Sequence, residues 1–167
     1  MKKRIILVSL VIMVALLMYR WMPVLYVYYV NIWSEAVEYT TYKKEFNLVK
    51  DFILTEYGDE EDKYVSVSLG DEKGIGLYDP DKNAFVKCED EVREALRTIE
   101  NKAFMNNPLD VIRIRGNRVS FCIENGHYAL VYSPDEKPTN MYGTDNGDDV
   151  LVKKAGKDWY HVVINPH

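Results

Sequence analysis

The chain lacks acidic residues before Glu35, and it has no charge of either sign between Ile5 and Tyr19. The same segment lacks the small residues of an A-x-A-like cleavage site, because bulky residues follow Ala15 as far as Met22. No cysteine directly follows the apolar stretch, which excludes a bacterial lipid anchor. These absences disfavour a cleaved signal peptide and favour an uncleaved membrane anchor.

Cysteine is scarce, with Cys88 and Cys122 as the two examples. One pair does not make a disulfide framework, so the fold cannot depend on a network of bridges. Outside a membrane the two could pair, and a bridge closing so long a loop would contribute roughly 3–4 kcal/mol. Two unpaired buried thiols are the interpretation that we favour.

Catalytic signatures are also missing. There is no G-x-S-x-G, no H-E-x-x-H and no cysteine signature with a downstream histidine. His127 could act as a general base near Ser120 or Cys122, but only Glu124 lies close enough in sequence to orient it. The sequence therefore predicts a protein that is not an enzyme and needs no cofactor, with a hydrolase as the weakest alternative.

The N-terminal segment has the pattern of a signal anchor. Lys2–Arg4 precede an apolar run whose helix, from Ile5 to Met22, would be about 27 Å long, enough for a hydrocarbon core. By the positive-inside rule the basic end is cytoplasmic. We predict a cytoplasmic tip at 1–4, a transmembrane anchor at 5–22, an interfacial or stalk segment at 23–33 that extends the anchor helix in one alternative, and an extracytoplasmic domain at 34–167.

The predicted external domain is acidic. Beyond the anchor, 17 basic residues stand against 26 acidic ones, a net charge of −9. Such a domain is a poor partner for nucleic acid or for an anionic membrane surface. Thirteen tyrosines and six prolines are typical of a packed, sheet-containing domain and not of a disordered tail.

Apolar periodicity predicts two helices. A 4-3-3-4-3-4 spacing from Ile32 to Ile53 predicts a helix from about Ser34 to Tyr57, ended by Gly58 as a C′ glycine. We interpret its stripe as a face packed on a sheet, and a dimerising coiled-coil stalk is the alternative. Asp90–Phe104 is the second helix, with Val92, Leu96, Ile99 and Ala103 on its apolar face.

Alternating runs separated by turn residues predict the strands. They are Tyr64–Leu69, Gly74–Tyr78, Ala84–Lys87, Val111–Arg115, Arg118–Glu124, His127–Ser133, Val150–Lys153 and Trp159–Ile164. The order of helix, hairpin, helix and antiparallel β-meander predicts an α+β fold with a curved sheet around helices. By analogy this order resembles the cystatin-like and NTF2-like folds, which host many functions.

Two-residue turns fix the register of the central hairpins. They pair Ile112 with Phe121, Ile114 with Val119, Val119 with Tyr132, Phe121 with Leu130, and Ile123 with Tyr128. These residues share the core face. The opposite face then has Arg113, Arg115, Arg118, Ser120, Cys122, Glu124 and His127.

The three arginines, with His127, are the binding residues that we select. Arginines on adjacent strands of an acidic domain could bind a carboxylate or a phosphate. The alternative, which the pattern favours, is a solvated outer face covered by arginine stems.

A calcium-loop pattern is incomplete. Asp79, Asp81 and Asn83 have the 1, 3, 5 spacing, with Asp90 at position 12. Ala84 stands where the loop needs glycine, and a turn between strands explains the same residues. No metal site is predicted, and these three remain weak candidates.

The C-terminal half resembles a type of small, uncharacterised, membrane-anchored protein of Gram-positive bacteria. The motifs are Asn117–Phe121, Ala129–Asp135 with Pro138, and Asp158–Tyr160. They cover about a third of the chain, and the resemblance implies no activity.

Together these patterns predict a single-pass membrane protein whose external domain binds another cell-envelope protein without catalysis. The alternative is a small-ligand sensor with a pocket between the sheet and the helices. The sequence does not decide whether the protein forms a homodimer.

Overall fold

The computed structural model describes residues 38–69, 74–104, 108–123, 128–139 and 150–164. Within them, two α-helices and one eight-stranded antiparallel sheet form an α+β domain, as the sequence predicts. All described residues belong to one unit, 36–167.

The elements follow the predicted order. They are α1 (Lys43–Tyr57), β1 (Lys63–Leu69), β2 (Ile75–Asp79), β3 (Ala84–Phe85), α2 (Asp90–Thr98), a π-helix (Ile99–Ala103), β4 (Leu109–Arg115), β5 (Arg118–Ile123), β6 (Tyr128–Tyr132), β7 (Val150–Gly156) and β8 (Trp159–Ile164). Across the sheet the strand order is β3-β2-β1-β4-β5-β6-β8-β7.

Aromatic rings join α1 to the sheet. Phe46, Val49 and Ile53 of α1 are fully buried, which confirms this part of the predicted stripe. The ring of Phe46 contacts Phe121 edge-on at 5.2 Å and lies 6.0 Å from Trp159. Burial of such large side chains is the main contribution to the stability of this layer.

The first helix begins later than predicted. Residues 38–42 form a turn closed by bonds from the Thr41 and Tyr42 N–H groups to Glu38 O, and α1 starts at Lys43. Tyr39 keeps its predicted burial from this turn, because its ring packs 5.1 Å from Trp159. Gly58 follows the helix in a right-handed conformation and not as a left-handed C′ glycine; a Cβ there would collide with Leu54 O.

The second helix changes its winding. It is α-helical to Thr98 and continues as the π-helix, with all four predicted apolar residues buried. A π-turn commonly marks a functional or strained position. Here Glu100 of the π-helix accepts a hydrogen bond from the Leu109 N–H at 2.7 Å, which joins it to the start of β4.

The predicted register is confirmed for four pairs of the central hairpins. Ile112 lies opposite Phe121 and Ile114 opposite Val119, while Phe121 lies opposite Leu130 and Val119 opposite Tyr132. Ile123 and Tyr128, the fifth pair, flank residues 124–127, which lie outside the described residues.

The last hairpin forms as predicted, but the simple meander is wrong. β8 pairs with β6, and β7 lies at the sheet edge. Burial explains the order, since β8 contributes Trp159, Val162 and Val163 to the interior, whereas no residue of β7 is buried.

The described part of the chain contains no helix both long enough and apolar enough to cross a membrane. The predicted anchor at 5–22 and stalk at 23–33 lie outside it.

Candidate functional site

The β4–β5 hairpin places three arginines on the sheet face that points away from the core. Arg115 lies directly opposite Arg118 across the turn, and Arg113 lies opposite Ser120. Gly116 adopts φ +56°, a left-handed conformation that suits glycine in this tight turn. The predicted co-location of Arg113, Arg115 and Arg118 is therefore present.

The three arginines differ in their surroundings. Arg115 is exposed, whereas Arg113 and Arg118 are half-buried. Burial, and then the charge of Arg115, lowers the pKa of Arg118, and Glu136 opposes this effect. The Arg113 guanidinium lies 6.0 Å from the ring centre of Tyr64. Like charges opposite one another on a sheet destabilise it by a few tenths of a kcal/mol or more, and the negative charge of Glu136 offsets this effect at Arg118.

Exposed aromatic rings lie on the same sheet face as the arginines. Tyr64, paired with Arg113, is 44% exposed, and Phe85 is 47% exposed. Phe85 packs edge-on against Tyr78 at 5.4 Å, and Tyr78 pairs with Ser66 of β1. Hence β3, β2, β1 and the β4–β5 hairpin present one aromatic–arginine surface, defined by Tyr64, Tyr78, Phe85, Arg113, Arg115 and Arg118.

The other half of this face is buried, so the prediction of a solvated outer face is wrong there. On β5, β6 and β8 the buried residues of this face are Ser120, Cys122, Ala129, Val131 and Val162. A signal existed, because the unbroken apolar run of β6 is typical of a strand buried on both faces.

The predicted partners of His127 are poor nucleophiles. His127 itself lies outside the described residues. Ser120 and Cys122 are buried, and burial raises the pKa of the Cys122 thiol to about 12. A thiol attacks as its thiolate, which this environment suppresses.

Both cysteines are free, buried thiols. Cys122 lies on β5, and Cys88 lies in the segment before α2. Burial raises the pKa of Cys88, with the charge of Arg93 opposing. The two side chains therefore contribute as apolar groups.

The weak calcium candidates surround an ammonium group. Lys63 Nζ lies 2.7 Å from Asp79 Oδ1 and 2.6 Å from Asp81 Oδ2. Asn83 instead accepts a hydrogen bond from the Tyr78 hydroxyl. The three side chains therefore do not converge on a cation site, and no metal-binding group of three occurs among the described residues.

The Lys63–Asp79 pair is the centre of a buried network that the sequence did not predict. The Tyr57 hydroxyl donates to Asp79 Oδ2 at 3.1 Å, and the N–H groups of Asp81 and Lys82 donate to Oδ1. Burial alone would raise the pKa of Asp79, but these donors outweigh it and lower the pKa to about 2. The network ties the end of α1 to β1 and β2, which is a structural role.

The sequence pattern also did not identify His161 as a buried, hydrogen-bonded side chain. His161 Nδ1 lies 2.6 Å from the Tyr128 hydroxyl. Burial, and then the charge of Lys153, lowers the pKa of His161 to about 4. The imidazole is therefore neutral at pH 7, and its Nδ1 shares a hydrogen bond with the Tyr128 hydroxyl.

Two open grooves border the helices. One, of about 520 Å³, lies between the π-helix and the starts of β2 and β4, and Arg97, Glu100 and Asp110 line it. Burial raises the pKa of Glu100. The other, of about 540 Å³, lies between α1 and the segment before α2, with Phe52 and Cys88 in its wall.

No protein-family model matches this chain, and neither a curated protein nor a solved structure matches it. The resemblance to membrane-anchored proteins of Gram-positive bacteria stays a prediction.

Proposed function

We propose that this protein is a membrane-anchored, non-catalytic binding module whose external domain engages an acidic segment of another cell-envelope protein. The observation that supports the proposal is the aromatic–arginine surface. It has three arginines and two exposed rings on one sheet face, with Arg113 near the ring of Tyr64. The basic flank and apolar run at 2–22 support the anchor.

The charge distribution favours an acidic partner. The predicted external domain has a net charge of −9, yet Arg115 and Arg118 lie opposite each other. A local cationic surface on an acidic domain steers acidic groups to one place and repels them elsewhere. Arginine also binds carboxylates in a bidentate manner.

The exposed rings favour a protein partner over a small anion. Tyrosine, phenylalanine and arginine are enriched in protein interfaces, where a rigid ring buries much area at little entropic cost. Tyr64 and Phe85 lie on β1 and β3, on the same sheet face as the arginines. The surface therefore offers apolar contacts beside its cations.

The absence of an activated nucleophile at Cys122 supports a non-catalytic role. Its thiol keeps its proton at neutral pH because burial raises its pKa. His161 likewise bonds to Tyr128 inside the core.

The test is crosslinking in cells, read by mass spectrometry, with Arg113, Arg115 and Arg118 all changed to Glu. We expect the wild-type partner to be lost from the variant. The matched control changes the exposed lysines Lys43, Lys44 and Lys102 to Glu, an equal change in net charge. A correctly folded arginine variant that retains the wild-type partner profile would disprove the proposal.

A small-ligand sensor is the second candidate, favoured by the groove beside the π-helix. Arg97, Glu100 and Asp110 supply both charge signs around a cavity of about 520 Å³. Binding raises the unfolding temperature of the native state. We would screen small carboxylates and phosphates by thermal shift with wild-type and Arg97→Gln protein. If no compound stabilises the wild type more than the variant, the sensor function is disproved.

A further inference from the structure

We propose that the outer edge of β7 accepts an extended acidic segment of another protein as a ninth strand of the sheet. The site is the regular part of the strand, Val150–Lys154, called the β7 edge below. It is separate from the aromatic–arginine surface, because β7 and β3 end opposite sides of the sheet.

The backbone geometry of the β7 edge suits strand addition. Five consecutive residues pair with β8, from Val150 opposite Ile164 to Lys154 opposite Tyr160. On its other side β7 pairs with no strand of the described residues. In an antiparallel ladder, alternate residues direct their N–H and C=O groups outward, so this side offers donors and acceptors to a further strand.

The two edges of the sheet differ in how well they are protected against pairing with a further strand. β3 is two residues long, and so short an edge offers little template for pairing. β7 is seven residues long, and Val150, Leu151 and Val152 bring no charge and no proline. Its irregularity lies beyond the β7 edge, between Lys154 and Gly156. Leu151 is 36% exposed, which adds an apolar contact.

The side chains of β7 specify the occupant. Leu151 and Lys153 point to one face, while Val152 and Lys154 point to the other, and both lysines are exposed. An added antiparallel strand is best matched when acidic residues lie opposite the lysines and apolar residues opposite Leu151 and Val152.

Charge favours such a strand over a second copy of this chain. Two β7 edges paired antiparallel about Val152 would place Lys153 opposite Leu151 and Lys154 opposite Val150, so a second copy gains no cross-strand ion pair. Like charges across neighbouring strands are destabilising, whereas opposite charges stabilise the pair. Peptide addition to a sheet edge gains affinity from backbone bonds and specificity from alternate side chains.

The test uses the full-length protein in mild detergent and a blocked fluorescent peptide. The peptide has two glutamates followed by two valines, flanked by threonines. We expect saturable binding by fluorescence anisotropy and slower hydrogen exchange at the amides of 150–154. Lys153→Glu with Lys154→Glu should weaken binding by about tenfold, since two cross-strand ion pairs become repulsions.

Two controls keep the result interpretable. Lys43→Glu with Lys44→Glu makes the same charge change on α1 and should leave binding intact. A peptide with proline in place of both valines loses a donor to the ladder whichever valine directs its N–H toward β7, and it should not bind. If the β7 variant unfolds, a peptide with lysines in place of glutamates tests the same charge pairing without changing the protein.

Several results would overturn the proposal. They are no saturable binding, binding without slower exchange in 150–154, and equal binding of the lysine peptide. Protection of the same amides without peptide, together with a dimeric mass, would assign the edge to a second copy instead. None of these outcomes bears on the arginine variant, so failure of this proposal and failure of the proposed function are distinguishable.

Discussion

At the scale of single residues, His161 is the group whose environment departs most from what its sequence position implies. The strand pattern predicted a residue of the last hairpin, but not a neutral imidazole bonded to Tyr128 inside the core. Alternation indicates which face a side chain is on, and it cannot indicate which polar partner lies across the sheet.

His161 makes stability depend on pH. Its pKa is about 4 in the folded protein against 6.5 as the ordinary value, so the unfolded chain binds more protons between these values. The stability is complete above pH 6.5 and is lost as the pH falls toward 4. Between pH 7 and pH 5 the loss is about 2 kcal/mol.

The measurement is the free energy of unfolding by urea at both pH values, for wild-type protein and His161→Gln. Glutamine keeps an acceptor for Tyr128 but does not titrate. We expect the variant to lose about 2 kcal/mol less than the wild type over this interval. Equal losses in both proteins would contradict the neutral, buried state of His161.

Lys63 neutralises Asp79, and its removal should be costly. Lys63→Met leaves the buried Asp79 carboxylate with the exposed Lys82 ammonium, 3.5 Å away, in place of its buried partner, and loss of a buried partner typically costs about 3–5 kcal/mol. Urea unfolding at pH 7 measures it. The double variant Lys63→Met with Asp79→Leu should recover much of the loss, because no unpaired charge remains. A single variant as stable as the wild type would show that the pair contributes nothing.

At the scale of elements, turn chemistry was the most informative sequence signal. Gly116–Asn117 fixed the β4–β5 register, and with it the shared face of the three arginines. The π-helix and the hydrogen bond from the Leu109 N–H to Glu100 were not predicted, since apolar periodicity distinguishes neither a π-turn nor a side-chain acceptor. The position of β7 was misjudged because hairpin signals do not state which strand is more apolar.

Gly156 permits close contact between the β7–β8 hairpin and the turn at Tyr39. A Cβ at Gly156 would lie 2.7 Å from Cε1 of the buried Tyr39 ring. Gly156→Ala should destabilise by about 1–3 kcal/mol, as overpacking does. Thermal unfolding measures the loss, with Gly76→Ala as the control, because a Cβ there meets the exposed Phe85 ring at 3.4 Å.

If Gly156→Ala destabilises through a clash with Tyr39, a smaller side chain at position 39 should relieve the clash. Gly156→Ala combined with Tyr39→Leu should then show a smaller penalty than the sum of the two single changes. Simple additivity would mean that the glycine is needed for another reason.

At the scale of the whole molecule, the charge balance and the sheet face together define how a partner would be selected. The acidic character was evident from composition, and the arginine positions from register. The adjoining rings were not grouped with them, because Phe85 reaches this face only through the pairing of β3 with β2. The turn at 80–83 joins these two strands, but the turn pattern alone does not state that Phe85 lies opposite Tyr78.

The aromatic–arginine surface predicts two separable kinetic effects on partner binding. Long-range attraction by Arg113, Arg115 and Arg118 acts on association, so the association rate should fall as salt rises, since the Debye length shortens from about 10 Å at 0.1 M to about 3 Å at 1 M. Phe85→Ala removes a contact without a charge. It should speed dissociation and leave the salt dependence of association unchanged.

Surface plasmon resonance with the crosslinked partner, across a salt series, separates the two effects. Arg115→Gln should reduce the salt slope, because it removes an exposed charge while leaving the rings in place. A control at Lys102→Gln removes an equal charge from the π-helix and should barely alter the slope. If Arg115→Gln and Lys102→Gln reduce the slope equally, net charge alone governs association, and the arginine cluster has no special place in recognition.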